Sequence, residues 1–228
     1  MDLALETMGL SKTYGKFRKI VALKPLDISI KAGSAFGLLG ANGAGKSTFV
    51  KTLLCVCKAT TGRAKIFGQD YRSPAVRKKI GYLPEGTNFP RYMTGRQVCE
   101  YFGNLSGMRG AVLKKEVDEK LEIVQMQDWA NRKVGKYSKG MRQRIGLAQA
   151  MLGDPPMLIL DEPTDGVDPP GRRTIREVIK KRRDEGTTII WNSHLLAEVE
   201  DVCDEVAILY RGELLKRGKI ADIIEETA

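Results

Sequence analysis

The spacing of apolar residues changes twice along the chain. Up to about residue 85, and again from about residue 155, short apolar runs of strand length alternate with segments of helical periodicity. Residues 86–154 carry apolar residues at helical spacing and no strand-like run. The pattern predicts a single domain over residues 1–228, in which an α/β core formed by residues 1–85 and 155–228 carries a helical insert at residues 86–154.

Individual elements follow from these runs. We predict strands at residues 3–9, 20–30 with an interruption at Pro25, 34–39, 64–67, 80–83, 157–160, 187–191 and 206–210. We predict helices at residues 46–57, 95–105, 112–126, 138–152, 170–183 and 195–202. Apolar strands that alternate with helices indicate a mainly parallel sheet covered on both faces. Ligands of such sheets bind beyond the carboxyl ends of the strands.

The composition is that of a globular protein with anionic partners. Of the 228 residues, 42% are hydrophobic and 29% are charged, and no stretch approaches the roughly 20 apolar residues of a membrane span. The net charge of +10 favours nucleotides, nucleic acid or an acidic membrane surface. The densest basic run, residues 172–183, contains no aromatic residue that could stack on bases. We therefore predict no nucleic-acid partner.

The four cysteines carry no metal-binding or disulfide pattern. Cys55, Cys57, Cys99 and Cys203 form no C-x-x-C pair, which is consistent with a reduced cytosolic compartment. Because Cys55 and Cys57 fall on the predicted helix at residues 46–57, we interpret them as small core residues.

A glycine-rich segment joins the predicted strand 34–39 to the predicted helix 46–57. It reads Gly40, Ala41, Asn42, Gly43, Ala44, Gly45, Lys46, Ser47 and fits the pattern G-x-x-x-x-G-K-[ST]. Glycines leave backbone N–H groups free to surround a phosphate at a helix N-terminus. Lys46 would bridge the outer phosphates and Ser47 would give its hydroxyl to Mg²⁺. These residues and the next one, Thr48, are our predicted nucleotide-binding residues.

Acidic residues and the only histidine follow two other predicted strands. Asp161 and Glu162 come directly after an apolar run, and His194 follows the run at residues 187–191. Asp161 is placed to hold Mg²⁺ through its water shell, and Glu162 to deprotonate a water for attack on a γ-phosphate. We predict that His194 contacts the same phosphate.

The segment that opens the predicted helix at residues 138–152 offers a further anion-facing end. Ser138 is a favourable N-cap residue, and the positive end of the helix dipole lies at this terminus. Taken alone, the segment is an ordinary capped helix.

Together these motifs resemble those of the nucleotide-binding subunit of ATP-binding cassette (ABC) transporters, over essentially the whole chain. The resemblance implies a P-loop NTPase (RecA-like) fold: a mainly parallel sheet core with N-terminal antiparallel β strands and an inserted α-helical subdomain. It also implies the cofactors ATP and Mg²⁺ and an ATPase activity. His194 would be the switch histidine, and Tyr14 would stack on adenine, a contact worth roughly 1–3 kcal/mol.

Further site residues follow from the same resemblance. The signature motif, usually L-S-G-G-Q, reads Y-S-K-G-M here, so that Ser138 and Gly140 are retained and Lys139 and Met141 differ. Asp168 matches the D-loop aspartate. Glu85 stands where the family usually has a glutamine that senses Mg²⁺ and water; it is a predicted metal-site residue, either as sensor or as direct ligand. The segments I-G-Y-L-P-E and Y-S-K-G-M-R-Q-R are most similar to those of type-2 exporters and of lipid-transporting A-subfamily cassettes.

The resemblance implies a mechanism with partners. Two cassettes stack head to tail around two ATP molecules, and the signature residues and Asp168 of one reach the nucleotide bound by the other. For the second cassette we favour a second copy of this chain. A separate integral membrane subunit would hold the pair at the inner face of the membrane, on its cytoplasmic side. The aromatic residues of the insert could be the docking contact or the core of the insert: Phe89, Tyr92, Tyr101 and Phe102.

A second hypothesis is a soluble mechanochemical ABC ATPase of DNA repair, chromosome organisation, translation or iron–sulfur assembly. Repair and chromosome members carry long insertions, whereas Glu85 and Ser138 are only 53 positions apart. An iron–sulfur assembly role stays open. A P-loop kinase or GTPase is not supported, because the chain has no N-K-x-D motif. We favour the exporter ATPase.

Overall fold

The computed structural model describes residues 2–15 and 17–225. Its strands are β1 Leu3–Tyr14, β2 Ile20–Leu26, β3 Ser29–Lys31, β4 Ala35–Leu39, β5 Thr61–Ile66, β6 Gln69–Asp70, β7 Ile80–Leu83, β8 Met157–Asp161, β9 Thr188–Ser193, β10 Glu205–Tyr210 and β11 Glu213–Lys219. Its α-helices are α1 Lys46–Leu53, α2 Pro74–Arg77, α3 Gly95–Leu105, α4 Gly110–Ile123, α5 Lys139–Ala150, α6 Pro169–Asp184, α7 Leu196–Val199 and α8 Ile220–Glu225.

A six-stranded sheet carries the predicted parallel core. Its strand order is β11-β10-β4-β9-β8-β7, and every neighbouring pair except β10–β11 is parallel. All residues of β4, β8 and β9 are buried, as their continuous apolar runs predict. The carboxyl ends of these three strands therefore meet at one edge of the sheet.

A second sheet is antiparallel and is formed by the N-terminal strands. Its order is β2-β1-β5-β6, with β3 also paired to β1. Alternate residues of β9 enter two different cores, because successive side chains of a strand point to opposite faces. Ile190 packs in the core shared with the antiparallel sheet and α1, whereas Ile189 and Trp191 pack in the core shared with α3–α6.

Helices dominate between β7 and β8. The described chain there contains α3, α4, α5, two 3₁₀ turns and a single β-bridge between Thr94 and Lys133. Thr94 and Gln97 form a capping box that begins α3. Lys120 of α4 is buried and pairs with Glu116 at 3.2 Å and with Asp154 at 2.8 Å, which fixes α4 to the turn before β8. The division at residues 85/86 and 154/155 stays a prediction.

Several element boundaries differ from those that the sequence predicts. β1 extends to Tyr14, and the predicted strand 20–30 is two strands. The link between them is held against β1 by side chains: Asp27 accepts a hydrogen bond from Gly9 N at 2.5 Å, and Thr7 Oγ1 accepts one from Ile28 N at 2.8 Å. β11 was not expected, because its exposed edge carries Lys and Arg in place of an apolar run. α7 spans one turn only, from Leu196 to Val199.

The prediction that Cys55 and Cys57 lie on a helix and in the core is wrong. α1 ends at Leu53, and Cys55 is exposed in a left-handed conformation, with φ 58°. Both Val56 N and Cys57 N donate to Lys51 O, at 2.8 and 3.2 Å, and so close the end of the helix. No glycine marks this stop, which is why the apolar run predicted four further residues of helix.

Candidate active site

The glycine-rich segment lies between β4 and α1. Gly45 has φ 110°, and a Cβ at this position would lie 2.8 Å from Ala22 O, so only glycine fits. Gly43 also has a positive φ, of 82°. No side chain caps α1 at its N-terminus. The first N–H groups of the helix therefore remain available to an anion.

A cavity of about 490 Å³ opens at this loop. It is lined by Ile20, Val21, Ala22, residues 41–48, Glu85 and Glu162. The structure thus brings Glu85 and Glu162 to the predicted phosphate-binding residues, although they are distant in sequence. Gly40 lies just outside this lining. The cavity has the size of a small-molecule site.

Lys46 is buried, and its side chain extends from α1 toward the first residue of the loop and toward Glu162. Its Nζ donates a hydrogen bond to Gly40 O at 2.5 Å and lies 3.7 Å from Glu162 Oε1. The Lys46 amino group therefore lies between the loop and a carboxylate. A phosphate placed between them would meet the ammonium directly.

Glu162 is fixed by backbone contacts in an uncommon conformation. Its φ is 50°, its N–H donates to Asn192 O at 3.0 Å, and its carbonyl accepts from Gln143 Nε2 at 3.1 Å. Its Oε2 lies 2.9 Å from Nδ1 of His194. Burial raises the pKa of Glu162, and contacts with His194 and Lys46 oppose part of that rise. The carboxylate is consequently a better proton acceptor than an exposed one.

Asp161 ends β8 with its side chain buried beside β9. Its Oδ1 accepts a hydrogen bond from Asn192 Nδ2 at 3.1 Å. Within residues 2–15 and 17–225, no group of three or more His, Cys, Asp or Glu side chains is close enough to hold a metal alone. Mg²⁺ typically uses one or two carboxylates, several waters and substrate phosphates. The oxygen donors of Ser47, Asp161 and Glu85 fit that ion by type.

Tyr14 is the last residue of β1 and does not line the cavity. Its hydroxyl donates to Cys57 Sγ at 3.6 Å, and its ring lies under Lys12, with Nζ 4.7 Å from the centroid. The hydrogen bond with Cys57 is the main cause that raises the pKa of the Tyr14 hydroxyl, while Thr48 opposes the rise. The ring is therefore close to the phosphate-binding helix.

The predicted signature residues lie at the N-terminus of α5, away from the cavity. Ser138 is the N-cap, and its Oγ accepts from Met141 N at 3.1 Å. Lys139 Nζ donates to Asp165 Oδ2 at 2.5 Å. A Cβ on Gly140 would lie 3.0 Å from Val167 Cγ1, and 3.4 Å from an oxygen of Asp168. The helix end thus packs closely on the turn that contains Asp168, the N-cap residue of α6.

Some residues that organise the site were not predicted. Gln143 connects Thr87 to Glu162, and Asn192 connects Asp161 to Glu162. Ser193, just before the histidine, donates to the buried carboxylate of Glu198 at 2.6 Å. A polar pair that ends an apolar run was the only sequence signal for Asn192 and Ser193. Gln143 had none, because it lies in the middle of a helix.

The aromatic residues of the insert divide into two groups. Phe89 and Phe102 are partly buried, with ring centroids 6.2 Å apart in an edge-to-face arrangement. Tyr92 and Tyr101 are exposed, by 75% and 53%. Phe89 and Phe102 also line a groove of about 920 Å³ that lies beside β7. Phe89 and Phe102 therefore pack against the core, whereas Tyr92 and Tyr101 face outward, and a docking role for any of these residues stays a prediction.

Known relatives identify the family. Residues 23–165 match the family model described as ABC transporter. An uncharacterized ABC transporter ATP-binding protein of Synechocystis sp. is 41% identical over 96% of this chain and 64% of its own length. The bacitracin transport ATP-binding protein of Bacillus licheniformis is 37% identical, over 95% of this chain and 70% of its own. The Nod factor export ATP-binding protein I of Rhizobium sp. is 35% identical, over 98% and 73%.

Solved structures give the same result. A dimeric ATP-binding cassette in a post-hydrolysis state with ADP and Pi has a TM-score of 0.87 and 25% identity, over 95% of this chain and 98% of that one. A cassette of Clostridium perfringens, part of the cbiONQ transporter complex, has a TM-score of 0.85 and 27% identity, over 100% and 92%. The chain spans 64% of the length of the Synechocystis relative and 62% of that of an uncharacterized ABC transporter ATP-binding protein of Nostoc sp.. It belongs to the ABC transporter family, as an ATP-binding cassette with the P-loop ATPase fold.

Proposed function

We propose that this cassette binds MgATP, pairs with a second cassette and hydrolyses ATP to drive a separate membrane subunit, an exporter. The observation that carries the proposal is the meeting of Lys46, Glu162 and His194 at one edge of the parallel sheet, beside the phosphate loop. Each group follows a different buried strand. Their convergence gives the edge a cation, a general base and a hydrogen-bonding imidazole for one phosphate.

Nucleotide binding rests on the loop and its neighbours. Residues 40–48 would surround the phosphates, with Lys46 at the outer ones and Tyr14 stacked on adenine. Mg²⁺ would bind to the Ser47 hydroxyl and, through water, to Asp161. Glu85 lines the same cavity and would sense the ion and its water. The ion would neutralise charge that develops on the phosphate oxygens.

Hydrolysis would use Glu162 as the general base. Its carboxylate takes a proton from a water that attacks the γ-phosphorus, while the bond from that phosphorus to the β–γ bridging oxygen breaks. His194 would bind a γ-phosphate oxygen through the ring nitrogen that is not held by Glu162. This contact would distinguish ATP from ADP.

Pairing with a second cassette would complete each site. Ser138 caps a helix whose positive dipole end can face an anion, which supports a role of the signature residues at the nucleotide of a partner: Ser138, Lys139, Gly140, Met141 and Asp168. We favour a second copy of this chain as that partner. ATP would close the pair because its γ-phosphate contacts both cassettes, and hydrolysis would release it.

The membrane partner would dock beside the residues that follow β7. The groove there lies between the core and the helices of residues 86–154, which we propose to be one functional subdomain. A neighbouring groove that also contains Phe89 and Phe102 is lined by the exposed Tyr92 and Tyr101. The bacitracin and Nod factor relatives carry transport and export in their names, which supports an exporter. The type-2 or A-subfamily kind is favoured by the form of the signature segment and of the segment I-G-Y-L-P-E alone. No described helix is long and apolar enough to cross a membrane. We propose a cytoplasmic location, peripheral to the inner membrane face through this partner.

Capture from membranes tests the proposal. Tagged Glu162→Gln protein with MgATP would be recovered from gently solubilised membranes and its companions identified by mass spectrometry. A multi-spanning partner in stoichiometric amount is expected. Lys46→Ala should bind ATP poorly and so form less of the ATP-bound pair, and therefore less of the second cassette should be recovered with it. Recovery of soluble iron–sulfur assembly proteins alone would overturn the transport role and leave the ATPase intact.

A further inference from the structure

The Tyr14 ring is held by two side chains that are not among the site residues implied by the family resemblance. Lys12 Nζ lies 4.7 Å from the ring centroid, over one face. The hydroxyl at the other end of the ring donates to Cys57 Sγ at 3.6 Å. Lys12 and Tyr14 are two residues apart in β1, so their side chains leave the strand on the same side. Lys12 therefore covers one face of the ring, and Cys57 holds its hydroxyl in place.

Both contacts are anchored in the turn that follows α1. Lys12 Nζ donates to Lys58 O at 2.7 Å, directly beside Cys57. Cys57 Sγ lies 3.3 Å from Thr52 Oγ1, which in turn donates to Thr48 O at 2.8 Å. Thr52 has a single hydroxyl proton, so the thiol must be the donor in its contact with Thr52. A directed chain of hydrogen bonds therefore runs from the Tyr14 hydroxyl to Thr48 of the phosphate loop.

Free rotation of the Tyr14 ring would lower the affinity for a stacked base. Tyr14 is 39% exposed, so little packing fixes its side chain. Ordering a free side chain on binding typically lowers affinity, whereas a ring held in advance avoids that cost. Because Lys12 lies over one face, a planar ligand would stack on the opposite face. The anchors also set the distance of the ring from the phosphate loop, which a nucleotide must span.

We propose that Lys12 and Cys57 are positioning residues for the base of the nucleotide, acting through the Tyr14 ring. This inference rests on the proposed role of Tyr14 as the adenine stack. The main cause of the raised pKa of the Tyr14 hydroxyl is the hydrogen bond with Cys57, which keeps the phenol a donor. The backbone is held separately, because Thr13 N donates to Thr60 Oγ1 at 2.9 Å. Changes at Lys12 or Cys57 should therefore leave β1 in place.

Comparing a ligand that has a base with one that has none isolates this role. We would measure the Kd of MgADP by calorimetry, and that of pyrophosphate by its displacement of MgADP. ADP has no γ-phosphate, so binding reports on one chain. Lys12→Gln keeps a donor for Lys58 O and removes the charge over the ring. Cys57→Ala removes the hydrogen bond, Cys57→Ser retains one, and Cys55→Ala is a matched cysteine control that does not touch Tyr14.

Lys12→Gln and Cys57→Ala should each weaken MgADP binding by about 2- to 5-fold and leave pyrophosphate binding unchanged. Cys57→Ser should recover part of the loss, and Cys55→Ala should match the wild type. In a Tyr14→Ala background, Lys12→Gln should have no further effect. Because pyrophosphate is at least as strongly attracted by a nearby cation, a mere loss of charge would weaken both ligands.

Two failures can be told apart. If Tyr14→Ala weakens MgADP binding and neither Lys12→Gln nor Cys57→Ala does, the positioning role is wrong and the adenine stack stands. If Tyr14→Ala itself leaves MgADP binding unchanged, the proposed stack is wrong and the positioning role falls with it. Equal losses for MgADP and pyrophosphate would also overturn the positioning role.

Discussion

Oε2 of Glu162 lies 2.9 Å from Nδ1 of His194, and the two residues directly follow the neighbouring strands β8 and β9. Both strands are buried along their whole length, so the contact is set by strand pairing and not by a free loop. The second carboxylate oxygen faces Lys46 at 3.7 Å. The base of the proposed reaction is thus held between two groups that would also bind the γ-phosphate.

Loss of the Glu162 charge should separate binding from hydrolysis. Glu162→Gln keeps the size of the side chain and removes the proton acceptor, so kcat should fall by about 10²–10⁴-fold. MgATP affinity, measured by calorimetry, should stay within a few-fold of the wild type. Turnover close to that of the wild type would exclude Glu162 as the base.

The acid limb of the pH–rate profile should move when the histidine is changed. Glu162 must be ionised to accept a proton, and its raised pKa places the loss of activity at a higher pH than for an ordinary carboxyl. The hydrogen bond with His194 lowers that pKa, as does the charge of Lys46, whereas Glu198 raises it. In His194→Gln the acid limb of residual kcat should therefore shift upward in pH. An unmoved limb would contradict the coupling of the two side chains.

Two glycines of the phosphate loop should differ in their tolerance of alanine. Gly45→Ala adds a Cβ that would lie 2.8 Å from Ala22 O, at φ 110°. Gly43→Ala meets no atom within 4 Å and pays only for its positive φ, about 1–2 kcal/mol. Chemical denaturation should show a larger loss of stability for Gly45→Ala, and MgADP binding should fall further. Equal losses would mean that the contact with Ala22 relaxes freely.

Buried Lys120 should matter more to stability than an exposed lysine of the same helix. Lys120 is 4% exposed and pairs with Glu116 and Asp154. Lys120→Met leaves Glu116 without this cation, whereas Asp154 keeps its pair with Arg182, so the change should cost about 2 kcal/mol. Lys115 is 79% exposed, and its pair with Glu119 spans 3.7 Å. Lys115→Met should cost less than about 0.5 kcal/mol in the same urea titration. Similar values for both would show that the buried network adds nothing.

The exposed tyrosines should contribute to docking without supporting the fold. Tyr92→Ser and Tyr101→Ser remove aromatic surface that faces outward, so they should weaken recruitment to the membrane subunit and leave the melting temperature nearly unchanged. Phe102→Ser should lower the melting temperature, because Phe102 is partly buried against the core and contacts Phe89. Recruitment that is intact in both tyrosine variants would move the docking surface elsewhere.

The sequence predicted the parts of the molecule that local chemistry determines. The strands that end at Leu39 and Asp161 are continuous apolar runs, and the phosphate loop depends on glycine at defined positions, so both could be read directly. The early end of α1 was missed because Cys55 adopts a left-handed conformation without being glycine or asparagine. The contacts of Gln143 and Asn192 arise from tertiary packing, which leaves no periodic signal.

The packing of Gly140 indicates how relatives of this chain should be searched for. A Cβ at position 140 would press on Val167 Cγ1 at 3.0 Å, and Ser138 caps the helix through Met141 N. Lys139 lies at the surface, and Met141 only rests against the edge of the core, so both positions can change without moving the helix end. A pattern of serine, any residue and glycine at a helix N-terminus would find cassettes that a search for the full five-letter motif overlooks.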